Sequence, residues 1–287
     1  MTLLDLRTER LALTLAPSAG GSIARFTVDG MDIMRPMTAA DIASGKGNNA
    51  ASYPLVPFAG RIGDGRLLFQ GETIQLAPNW PGVRHPMHGD GWWHAWQVLH
   101  HDAQSAVLDY LHEPAGRPGG WPFRYRAQQH FRLEKERLTV RMSLENLADR
   151  MVPAGIGLHP FFVRDVDSEL KCSTQTVWRM DAEVLPLERI AVPPEWDFSA
   201  GRKVNSVALD TAFEGWDGQA TLVWPQRRLR LGIAADQTFR HLVLYLPPGQ
   251  SFFCVEPLSH TPGQVGLARL AAHATLTGEV ALQFATL

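Results

Sequence analysis

The chain has 287 residues, of which 45% are hydrophobic and 20% charged, and its formal net charge is −2. This is ample material for a large apolar core, and the near balance of charge gives no electrostatic reason to expect nucleic acid or an anionic membrane as partner. Two cysteines, Cys172 and Cys254, exclude a disulfide framework or a cysteine metal cluster, and no apolar run approaches the roughly 20 residues needed to cross a bilayer.

In chain order, the opening MTLLDLRTERLALTLAPSAGG has an early Asp5 and no long apolar centre. It does not read as a secretory leader, so a cytoplasmic protein is expected. Residues 10–17 alternate Leu11, Leu13 and Leu15 with other residues, which is a strand period. VPFAGRIGDGRLLFQGETIQL (56–76) sets Arg61 in a Gly-flanked loop before a strand, where its rigid donor fork could hold neutral hydroxyls or simply face solvent. Residues 123–146 predict two strands joined at Glu134–Glu136, with Leu138, Val140, Met142 and Leu144 on one face. Strands follow at 227–234, 241–248 and 274–284, and the best place for a helical turn is 264–272. Asp-Gly at 29–30, 64–65 and 217–218 and Pro-Gly at 81–82 and 118–119 punctuate the strands. No linker or repeat interrupts 1–287, so a single all-β domain of large packed antiparallel sheets with few short helices is expected.

Besides the Arg61 loop, four stretches could carry chemistry. HPMHGDGWWH (85–94) holds three histidines, but Pro86 and the Gly89-Asp90-Gly91 turn forbid a helix. On a strand the odd spacing of His85 and His88 would put them on opposite faces. Only a loop could converge them, and no metal-ligand spacing is present, so no metal is expected there. GIGLHPFF (155–162) sets His159 among apolar neighbours, where desolvation disfavours the charged imidazole; a core histidine is the plainer alternative. In SFFCVEPLSH (251–260), strand parity puts Glu256 on the apolar face of Phe252 and Cys254. A carboxyl there either has a raised pKa suited to proton transfer or escapes to solvent past Pro257. ALDTAFEGWDG (208–218) brings Asp210 together with Phe213 and Trp216. Nine tryptophans recur beside Gly and Pro, including Trp80, Trp92 and Trp93, and aromatic faces suit the C–H faces of sugar rings as well as they fill cores.

Together these stretches resemble the aldose 1-epimerases (galactose mutarotases) over essentially the whole chain. The match runs from LTLAPSAGGSIARFTVDGMDIMRP (13–36) through AGRIGDGRLLFQGETIQL, MHGDGWWHAWQV, GLHPFF and LDTAFEGWDG to FFCVEPLSH, most like a bacterial branch with HPFF and GWDG forms. The resemblance implies a β-supersandwich and cofactor-free interconversion of the anomers of a free aldose. It implies that Glu256 is the base, His159 the acid, and His88, Arg61 and Asp210 sugar ligands. Trp92 is the aromatic expected nearest the sugar, with His85 and His94 as supporting loop residues. A monosaccharide is the expected partner of a monomer or homodimer. Gly60 stands where the family often has Asn, and Leu-His-Pro-Phe-Phe replaces Asn-His-x-Tyr-Phe, so the preferred sugar can differ from galactose and glucose. The alternatives are a hexose-6-phosphate 1-epimerase, for which Arg66 and Arg84 are the available cations, and a non-catalytic sugar-binding module. A glycosidase pairing Glu256 with Asp210 is a third, which the family match does not support.

Overall fold

The alternating segments are strands in the computed structural model, which describes residues 2–114, 118–263 and 266–287. Along Arg137–Asn146, Leu138, Val140, Met142 and Leu144 are all buried while Arg141 faces out. That strand pairs with Tyr125–Glu134 from Glu134↔Arg137 to Tyr125↔Asn146, so the hairpin turns at Lys135 and Glu136, inside the predicted joint.

Two large antiparallel sheets result. The eleven-stranded sheet runs from Leu4–Arg7 through Leu11–Ala16, Ser22–Val28, Ser52–Leu55, Gly157–Val163, Phe252–Leu258, His241–Leu246, Leu209–Glu214 and Thr176–Met180 to Pro186–Ala191, with Met31–Asp32 beside Ser22–Val28. The nine-stranded sheet centres on Thr275–Thr286, flanked by Leu229–Ala235 and Arg137–Asn146. They pack face to face, so that Leu158, Phe162, Phe253 and Val255 of the first join Leu138, Val140, Leu231 and Phe284 of the second in one core. This is the expected β-supersandwich.

The central strands of the larger sheet are buried on both faces, which is why Gly157–Val163 and Phe252–Leu258 read as near-continuous apolar runs. Their second face lies under loops, where Tyr53, Phe161, Val243, Phe252 and Cys254 form a separate apolar cluster with Trp92. Among the described residues helix is confined to Ala39–Ser44, opened by a Thr38–Asp41 capping box, and to single 3₁₀ turns. The helical turn expected at 264–272 is corrected: Ala268–Leu270 is a strand, because its backbone pairs with Val152–Ala154, while Gln264 and Val265 lie outside the described residues. Among the described residues no helix is long and apolar enough to cross a membrane.

Candidate active site

Strand register assembles a row of side chains on the loop-covered face of the eleven-stranded sheet. Tyr53 lies opposite His159, Glu256 opposite Val243, and Val243 opposite Ala212. The pairs Gly157↔Leu258 and Phe161↔Cys254 bracket His159 and Glu256 and set them side by side. The next row is Phe161, Cys254, Tyr245 and Asp210. Period-two parity therefore delivers His159, Glu256 and Asp210, from three strands, to one face.

Loops close this face into a cavity of about 270 Å³. Arg61, His88, His159, Asp210 and Glu256 all line it, together with Asn48, Tyr53, Trp80, Met180, Val184 and Tyr245. A larger open groove of about 1330 Å³ lies against the other side of the 85–94 loop, bordered by His94, Asp90 and Tyr110. His88, His159, Asp210 and Glu256, each displaced from its ordinary pKa by burial, converge in the smaller cavity, which makes it the candidate site.

The 85–94 loop is held rigidly. The N–H groups of Asp90 and Gly91 donate to the Val56 carbonyl at 3.1 and 3.2 Å, and the Asn79 side chain bonds Met87 and Gly89. Gly89 has φ +67°, and a Cβ on it would come within 2.0 Å of the Val56 oxygen, so only glycine lets the loop lie this close. Asp90 anchors the loop to the nine-stranded sheet through the Tyr125 hydroxyl and, at 2.7 Å, His112 Nδ1. Burial works against charge on His112, but the hydrogen bond and proximity of Asp90 outweigh it and hold that imidazole above its ordinary range.

The three histidines of the loop diverge. His88 enters the cavity, its Nδ1 accepting from the Gly60 N–H at 3.1 Å. The neutral ring therefore carries its proton on Nε2, a donor for a ligand oxygen. Burial, with a smaller contribution from Arg61, lowers the His88 pKa to about 3, so it is neutral at physiological pH. His85 is buried, accepting from the Asp64 N–H at 3.0 Å and facing Glu183 at 3.4 Å. His94 is exposed and stacks on Tyr110 beside the open groove.

Trp92 requires a correction. It is fully buried, stacked between Tyr53 and Trp80 with centroids 5.3 and 5.1 Å away, and does not line the cavity. Trp80 and Tyr53 take the lining positions, because the 3₁₀ turn Gly91–Trp93 swings Trp92 behind them. Sequence reasoning also missed Met180 and Val184 on the Thr176–Met180/Pro186–Ala191 hairpin. Val184 has φ +60°, a rare conformation for a β-branched residue, and the neighbouring Glu183 meets Arg84 and His85 of the opposite loop. The Gly60 departure has a physical reason as well: φ is +72° and a Cβ would lie 2.3 Å from that of Pro262, so Asn does not fit this backbone.

At the cavity floor His159 Nε2 lies 3.4 Å from Glu256 Oε1, with both side chains buried. His159 is clamped between rings, 4.5 Å from Phe161 and 4.7 Å from Tyr53, and Arg35 covers Phe161 at 4.0 Å. Burial pushes the Glu256 carboxyl well above its ordinary range, with a further push from Asp210. Burial lowers His159 well below its ordinary value, helped by His88 and Arg35. Burial also raises Asp210, although Arg61 opposes this. These directions favour a neutral carboxyl beside a neutral imidazole, a state with no net charge that is the cheapest one to bury.

That burial has a stability consequence. Glu256 has a folded-state pKa above its unfolded value, so its contribution is fully present below the unfolded pKa and is lost as pH rises through the folded one. Glu256→Gln is therefore expected to melt above wild type in mildly alkaline buffer, with the gap closing toward about pH 4, where a carboxyl is largely neutral in either state. Thermal unfolding of both proteins across pH checks this, and parallel curves would refute it.

A family model described as aldose 1-epimerase matches residues 3–277. The Escherichia coli protein YphB is 30% identical over 270 residues, spanning 91% of this chain and 89% of its own. A crystal structure from Escherichia coli, assigned provisionally as an aldose 1-epimerase, superposes with a TM-score of 0.90 at 30% identity, covering 100% of this chain and 99% of that one. The galactose 1-epimerase structure from Lactobacillus acidophilus has a TM-score of 0.81 at 17% identity, covering 98% and 93%, which speaks to the fold.

Proposed function

Because the chain belongs to the aldose 1-epimerase family, we propose that it interconverts the α and β anomers of a free aldose by opening and reclosing the ring. The observation that carries this is the 3.4 Å separation of His159 Nε2 and Glu256 Oε1 on the floor of a monosaccharide-sized cavity. Ring opening removes a proton from the C1 hydroxyl and delivers one to the ring oxygen. Both oxygens belong to one carbon, so an acid and a base only this far apart can each reach one of them.

The pair enters with one proton. With that proton on His159, the Glu256 carboxylate takes the C1 hydroxyl proton while His159 protonates the ring oxygen, and the C1–O5 bond breaks. Rotation about C1–C2 presents the other carbonyl face. Reclosure returns the proton from Glu256 to the new C1 oxygen as His159 recovers its own. Both forms of the pair carry no net charge; the one with the proton on Glu256 is the cheaper to bury, and the reactive one has moved that proton to His159.

His88 Nε2–H, the Arg61 guanidinium and the Asp210 carboxylate are the groups for the sugar hydroxyls, and Trp80 and Tyr53 offer faces to its C–H side. A phosphorylated sugar is less well served. Arg84 is engaged by Asp64 at 2.8 Å and by Glu183, and neither Arg66 nor Arg84 lines the cavity. A purely sugar-binding module would have no use for a desolvated carboxyl beside an imidazole.

Polarimetry on freshly dissolved α-anomers of glucose, galactose, arabinose and fucose, with glucose 6-phosphate alongside, separates these readings. Faster relaxation of one or more free sugars than of the phosphate ester is expected. Acceleration confined to glucose 6-phosphate would move the assignment to the phosphorylated class.

A further inference from the structure

Cys254 has no place in the proton chemistry, yet it sits next to it. Its side chain shares the strand face of Phe252 and Glu256, is fully buried, and does not line the sugar cavity. The sulfur, a ring nitrogen of His159 and a carboxylate oxygen of Glu256 all lie within 4.8 Å of one another. His159 Nδ1 makes no hydrogen bond among the described residues. The ligands of a tetrahedral zinc ion, at about 2.0–2.3 Å from the metal, stand about 3.3–3.7 Å apart, so small side-chain rotations separate this trio from a three-ligand site.

We propose that His159, Cys254 and Glu256 form an inhibitory site for a thiophilic divalent cation of the zinc class, occupied in competition with the sugar. The sequence alone gave no hint of it, since a single Cys in VEP context has no metal-ligand spacing. The charge count favours it: one thiolate and one carboxylate neutralise a dication, and His159 enters as the neutral imidazole that burial already imposes. Soft sulfur selects zinc or cadmium over magnesium and calcium. The balance is simple: the cation enters, the Cys254 thiol gives up its proton, and the single proton of the His159–Glu256 pair is released with it. His159 and Glu256 both line the sugar cavity, so a cation held by them would stand at its floor. With both proton carriers bound to metal, neither can act on a sugar.

Zn²⁺ alone, added to chelator-treated protein, is expected to abolish mutarotation reversibly, with EDTA restoring it; this arm rests on the mutarotase reading. Cd²⁺ titration is independent of it, and is expected to give a thiolate-to-metal charge-transfer band in the ultraviolet that saturates at one ion per chain. Cys254→Ser, with Cys254→Ala as a second variant, should keep basal activity and fold, lose the band, and weaken zinc inhibition by at least about 10–100-fold, the loss that removing a mere outer-sphere partner already causes. Cys172→Ser should keep the band, since Cys172 lies on Glu169–Cys172 of the other sheet. Absence of a band in wild type, or equal zinc sensitivity in wild type and both Cys254 variants, overturns the proposal. A wild type inactive on every sugar that still shows the Cys254-dependent band would sink the mutarotase reading and leave the metal site standing.

Discussion

Glu256→Gln is expected to slow mutarotation by about 10²–10⁴-fold, the range that one positioned acid or base contributes. Glutamine keeps the shape and one carbonyl acceptor, so the cavity and the proposed contacts of a sugar with His88, Arg61 and Asp210 are preserved. What it loses is the ability to take a proton from the C1 hydroxyl and return it. Binding, followed by quenching of tryptophan emission with Trp80 in the cavity wall, should stay within a few-fold of wild type. A loss of binding equal to the loss of rate would make Glu256 a ligand only. Full retention of rate would remove it from the reaction.

The second large effect concerns Trp92, and it is on stability. Trp92 is fully buried between Tyr53 and Trp80, and its Nε1–H donates to the Gly89 carbonyl at 3.2 Å. Gly20 packs directly on its backbone, where a Cβ would lie 2.3 Å from the Trp92 oxygen, so the turn that carries the ring is itself closely packed. Trp92→Ala should therefore cost about 3–5 kcal/mol, typical of a buried aromatic truncated to alanine. Trp80→Ala, at a half-buried cavity wall, should cost less stability and raise KM. Chemical denaturation and saturation kinetics on the two variants distinguish these roles. The reverse pattern would restore Trp92 to the sugar.

The contrast between these tryptophans marks how far the sequence could be read. Glu256 and His159 were legible because period-two parity and apolar neighbours are local properties, and a carboxyl on an apolar face is an anomaly at any level of description. The Tyr125–Glu134/Arg137–Asn146 hairpin was legible for the same reason. Trp92 and Trp80 could not be told apart, since both sit beside Gly or Pro and only the turn at Gly91–Trp93 decides which ring is in front. Val184 was invisible, because its left-handed backbone depends on a hairpin tip that meets Arg84 and His85 from a distant loop. Tyr53 and Tyr245 enter the site through strand register, which pairs residues far apart in sequence. The histidine-rich loop proved to be a wall, with one imidazole facing the cavity and two turned elsewhere.

If one buried proton, held between His159 and Glu256, opens and closes a sugar ring, the optical rotation of a freshly dissolved α-aldose with and without the wild-type protein reports it without any variant. A first-order relaxation is expected whose rate rises in proportion to protein concentration and which reaches the same final rotation, since a catalyst cannot shift the anomeric equilibrium. Relaxation at the buffer rate for every free aldose tested, at any protein concentration, would contradict it.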